Sequence, residues 1–103
     1  IAAAVRAEFP NVSVDFLHTG WSGNWAHYCD EFDRRCRNAD GVVFLSLMRT
    51  MLGRRLRQSC HLPWRGCGRG GQGAMVESIR RLVPAAAAHQ ERRRLALEQT
   101  QVA

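Results

Sequence analysis

The stretch Gly66-Cys-Gly-Arg-Gly-Gly71 has the spacing G-x-G-x-x-G, and Gly73 follows it. Glycines let backbone N–H groups approach a phosphate, and a helix starting behind them adds about half a positive charge. This pattern reads as an anion site. Arg65 and Arg69 flank the turn, and Arg49 follows a second apolar run, so three guanidinium groups are candidates for phosphate or carboxylate. A dinucleotide fingerprint also needs an acidic residue roughly 20 positions on. Ala85 to His89 stand there instead, and no Lys exists to complete a Walker loop.

His18, with Ser46 and Ser22 as hydroxyl neighbours in other loops, is a candidate hydrogen-bonding contact. Nucleophilic catalysis is disfavoured because there is no G-x-S-x-G elbow and no assignable Asp partner. Asp15 and Asp40 are the strand-associated carboxylates, and Asp40 precedes its strand, at the end away from the proposed site. Trp21, Trp25 and Trp64 are able to stack a base. Trp25 begins a helical stripe and is expected in the core, whereas Trp21 lies in a Gly/Ser loop and is expected to be exposed.

The four cysteines, Cys29, Cys36, Cys60 and Cys67, form two pairs with six intervening residues each, wider than ordinary zinc spacing. Cys29, Cys36 and Cys60 fall on apolar stripes and read as small buried hydrophobes. Cys67, inside the glycine turn beside Arg65 and Arg69, reads as the one thiol open to activation. No metal site and no particular cofactor follow from these spacings.

These residues need elements to position them. Ile1, Val5 and Phe9 recur every four residues and predict a first helix, ended by Pro10-Asn11. Residues 12–18 are β-branched and aromatic and predict a strand. Trp25, Cys29, Phe32 and Cys36 mark a helix, and Gly41 to Ser46 a buried strand. Met48, Met51, Leu52, Leu56 and Cys60 mark a strongly basic helix, and residues 64–67 a third short strand. Met75, Val76, Ile79, Leu82 and Val83 mark a last helix, stopped or kinked at Pro84. Residues 85–101 have good helix propensity but a thin apolar stripe, so they read as a projecting helix or frayed tail.

Alternating strands and helices predict an α/β fold. The expected architecture is a small three-layer Rossmann-like or flavodoxin-like half. It has a short parallel sheet of three strands and a C-terminal helical tail. The domain would span residues 1–84, with 85–103 as an extension. A first helix would ordinarily follow a strand, so either a trimmed N-terminus or a sheet that starts one strand short is expected. Loops at the carboxyl ends of parallel strands converge on one edge. That edge would gather His18, Trp21, Ser46, Arg49, Arg65, Gly68, Arg69, Gly70, Gly71 and Gly73.

The chain has 103 residues, 46% apolar and 23% charged, close to globular averages. All fifteen basic residues are Arg, against nine acidic ones, for a net charge of +6. That excess favours phosphates, nucleic acids or acidic partners. No apolar run approaches the roughly 18 residues of a membrane span, and no secretion signal is visible, so a soluble cytoplasmic protein is expected. Three strands would make a small core, which suits a homodimer or larger assembly.

His18-x-Gly20, Ala39-Asp-Gly-Val-Val43, a basic helix reaching Cys60, Pro63-Trp64 and the glycine turn together resemble the bacterial domain-of-unknown-function family 2325, over roughly residues 12–83. The resemblance implies a compact α/β domain with a polar edge. Relatives tend to place small polar residues or His after the second strand, where this chain has Met48-Arg49-Thr50.

Two functions follow as expectations. The first is a binding module for an anionic small molecule, phosphate-bearing and nucleotide-like, held at the strand ends in a regulatory or accessory role. The alternative is an Arg-rich nucleic-acid-binding accessory protein. Too few acid and base groups converge to favour an enzyme.

Overall fold

The computed structural model describes residues 2–18, 25–45, 50–68 and 70–102. Along these the elements are α1 (Ala2–Glu8), α2 (Trp25–Cys36), β1 (Val42–Leu45), α3 (Thr50–Ser59), β2 (Trp64–Cys67) and α4 (Gly71–Val102). β1 and β2 pair in parallel, with Val42 opposite Trp64, Phe44 opposite Gly66 and Leu45 opposite Cys67. The bond from Val42 N–H to the Pro63 carbonyl, 3.0 Å, opens the ladder.

The alternation of a strand sends Val42 and Phe44 to one face and Val43 and Leu45 to the other. Phe44 joins Tyr28, Phe32, Leu52 and Leu56 in the main core, so α2 and α3 cover its face. Leu52 and Leu56 are one turn apart and fully buried, which fixes the inward stripe of α3. On the other face α4 packs along β2 and β1, and α1 lies against α4. Gly41 permits that approach. A Cβ at Gly41 would stand 2.8 Å from Leu82 Cδ2, closer than carbon atoms tolerate.

The expected three-stranded Rossmann-like sheet is not what forms. Among the described residues the protein is mostly helical, with a sheet of two strands. Residues 12–18 have strand-like composition but join no ladder. A strand is stabilised by cross-strand pairing, and β-propensity without a partner decides little. The Arg35 guanidinium instead takes this segment, bonding the Asp15 carboxylate and the Phe16 carbonyl, each at 2.9 Å. Leu17 packs on the core while Phe16 stays exposed.

α4 runs through Pro84 to Val102 as one helix, so it is not stopped at the proline. A proline inside a helix costs roughly 3 kcal/mol. Anchors on both sides offset that cost: Leu82 buried against Gly41 before it, and contacts from His89 and Arg93 to Asp40 after it. Among the described residues no helix is long and apolar enough to cross a membrane.

Candidate functional site

α3 carries three arginines in four positions and no carboxylate. With Leu52 and Leu56 turned inward, Met51, Arg54, Arg55 and Gln58 share the exposed face at helical spacing. Arg57 lies one turn beyond Arg54 and is half-buried, its guanidinium carbon 5.9 Å from the Phe44 ring centroid. Such cation–π placement holds the group without neutralising it.

Trp64 meets the same Phe44 ring, with centroids 5.5 Å apart and planes at 82°. Its indole remains 44% exposed at the start of β2. Arg65, the next residue, is exposed as well. Phe44 therefore brings a guanidinium and an open aromatic ring together. Phe32, which also touches Phe44 at 5.8 Å, lines an adjacent groove of about 410 Å³ with Asp33, Cys36, Arg37, Ser59, His61 and Leu62.

Much of the rest of the positive charge is matched. Arg34 and Arg35 pair with Glu31, and Arg35 with Asp15. Arg80 pairs with Glu8 and Glu77, Arg81 with Glu77, Arg93 with Asp40, and Arg94 with Glu91 and Glu98. Hydrogen bonds from arginines hold several of these carboxyls below their usual range: Arg34 and Arg35 on Glu31, Arg80 on Glu8, Arg81 and Arg80 on Glu77, Arg94 on Glu91. Among the described residues Arg54, Arg55, Arg57 and Arg65 have no carboxylate partner. Arg6, Arg37 and Arg92 have none either, so unpaired guanidinium groups are spread over several elements and are densest on α3, which carries three in four positions.

The strand-end site predicted from sequence is only partly assembled. Parallel pairing sets Leu45 beside Cys67, so the segments leaving both strands start at one edge. Gly68, Gly70, Gly71 and Gly73 lead from there into α4, and Gly70 and Gly71 take φ of 141° and 64°, open to glycine. Arg65 lies within β2. His18 ends no strand, so the rule that placed it at this edge does not apply; its ring stacks near Phe16, centroids 6.3 Å apart. Trp21, Ser46, Arg49 and Arg69 lie outside the described residues.

The thiol of Cys67 is buried, with Sγ 3.5 Å from the Gly68 carbonyl oxygen, unlike the open group expected. Burial, with the neighbouring Cys60 and Asp33, raises Cys36 to about 11. No group of three His, Cys, Asp or Glu is placed to hold a metal ion among the described residues.

One cluster escaped the sequence reading. Asp40 binds His89 and Arg93 at the amino end of β1. The available signal was the stripe Leu82, Ala86, His89, Arg93, which continues one face of α4 past Pro84. No family model, curated protein or solved structure matches the chain.

Proposed function

We propose that this protein is a nucleic-acid-binding module whose contact surface is the arginine ridge of α3 together with Trp64. One observation carries the reading: Arg54, Arg55 and Arg57 lack carboxylate partners while the arginines of α2 and much of α4 have them. A paired guanidinium adds little net field, whereas neighbouring unpaired ones attract phosphates. Met51 and Gln58 on the same exposed face supply apolar and hydrogen-bonding contact.

Fluorescence anisotropy of a labelled oligonucleotide across a salt series tests this. Affinity should fall steeply with salt, at a log–log slope of roughly 0.7–0.9 per phosphate neutralised. Replacing Arg54, Arg55 and Arg57 with Ala should flatten the slope by about two to three. Arg94→Ala, which removes a guanidinium flanked by Glu91 and Glu98, should leave it nearly unchanged. Salt-indifferent binding, or equal effects of both variants, would count against the proposal.

A second reading is a compact anion held at the glycine turn, favoured by the φ of Gly70 and Gly71 at the start of α4 beside the end of β1. It predicts heat on titration with inorganic phosphate or nucleotide, removed by Gly70→Val. The α3 ridge is preferred because the third loop of the expected pocket follows no strand.

A further inference from the structure

We infer that the ligand of this surface is single-stranded nucleic acid, with one base stacked on Trp64; the inference rests on the nucleic-acid reading above and narrows it. A large aromatic ring at the surface loses the hydration benefit of burial unless something covers it. Trp64 is 44% exposed although the main core lies directly beneath it. Its perpendicular contact with Phe44 orients the indole while leaving much of it open.

Of the other exposed large apolar residues, Met51 lies on the arginine face of α3 but has no ring to stack a base, and Phe16, Leu95 and Leu97 lie on other elements. Arg57 converges with Trp64 on Phe44, whereas Arg65, opposite Val43, belongs to the other face of the sheet. An aromatic platform beside the unpaired guanidinium of Arg57, on the helix that also carries Arg54 and Arg55, matches a strand that offers a base face and a phosphate at each step. A duplex hides its base faces within the stack, so it would use the arginines and leave Trp64 idle.

The test compares the whole chain's affinity for an oligothymidylate, a hairpin duplex of equal charge, and polyphosphate, at one ionic strength. Single strand should bind roughly tenfold or more tightly than either competitor, and Trp64→Ala should remove about that factor without changing the salt slope. Trp64→Phe keeps a stacking ring and the contact with Phe44, so it should retain most of the affinity. It also guards against misfolding: oligothymidylate should quench the wild-type tryptophan emission, and Trp64→Phe should abolish most of the quench. Binding to none of the three polyanions would overturn the nucleic-acid reading itself. Equal affinity for all three, with the quench unchanged in Trp64→Phe, would overturn the stacking inference and leave the arginine ridge standing.

Discussion

The Asp40 carboxylate lies 2.9 Å from His89 Nδ1, joining the residue that precedes the Gly41–β1 junction to the second half of α4. Arg93 holds the other oxygen at 3.1 Å. Asp40 and His89 are both largely shielded, at 21% and 24% side-chain exposure, so these bonds are less weakened by water than those on the open helix faces. A contact between positions 40 and 89 docks a segment whose own apolar stripe is thin.

Asp40→Ala should therefore loosen α4 beyond Pro84 while sparing the Phe44 core. Loss of a part-buried ionic hydrogen bond costs roughly 1–2 kcal/mol. Amide hydrogen exchange should show protection falling by about tenfold or more across residues 85–93 and little change in α2 and α3. Equal loss throughout the chain would show that the contact stabilises the whole fold instead.

Gly41→Ala should destabilise the packing of α4 on the sheet, because the new methyl group would meet Leu82 at 2.8 Å. Overpacking of this kind costs about 1–3 kcal/mol. Thermal unfolding of Gly41→Ala, Leu82→Ala and the double variant should reveal coupling: the glycine substitution costs less once Leu82 is shortened. Strict additivity would mean that the two residues do not share this contact.

Glu8 is held below its ordinary value of 4.5, chiefly by the hydrogen bond from Arg80, which links α1 to α4. A lowered folded pKa stabilises the native state above the ordinary carboxylate range, and the contribution disappears as pH falls through the lowered value. Removing Arg80 as Arg80→Ala should move the Glu8 midpoint, followed by carboxyl NMR, back up toward 4.5. An unmoved midpoint would show that Arg80 is not the cause.

Cys36 is pushed up to about 11, first by burial and then by Cys60 and Asp33. The neutral thiol is the form the fold prefers, so stability from this site is present below the ordinary thiol value of 9.0 and fades as pH rises toward 11. Alkylation of Cys36 by iodoacetamide, resolved by peptide mass, should stay slow at pH 8 and climb toward pH 11. A rate that levels off near pH 9 would contradict this environment.

Much of the local structure was legible along the chain. The stripe Trp25, Cys29, Phe32, Cys36 gave α2, and Leu52 with Leu56 gave the inward side of α3, because helical spacing of apolar residues requires no knowledge of the partner. The runs Gly41 to Ser46 and 64–67 both read as strands, and within them Val42–Leu45 and Trp64–Cys67 pair in parallel. Residues 12–18 differ from their strand-like composition for a physical reason: no partner strand pairs with them, and Arg35, twenty positions beyond Asp15, anchors the segment through its side chain.

The candidate surface was half visible. Trp64 was marked as able to stack a base, and the helix of Arg54, Arg55 and Arg57 as strongly basic. Pairs three or four positions apart, Glu31 with Arg34 and Arg35 and Glu77 with Arg80 and Arg81, are legible in the order of the chain, whereas Arg80 with Glu8 closes over seventy-two positions and is not. Composition by itself determined that positive charge is in excess, and apolar spacing that short helices and strands alternate through the middle of the chain. Tertiary packing decided where that charge stays uncompensated, that Phe44 joins Arg57 to Trp64, and that α4 continues past its proline. Each depends on distances between residues far apart in sequence, and Coulombic attraction and van der Waals contact act through space alone.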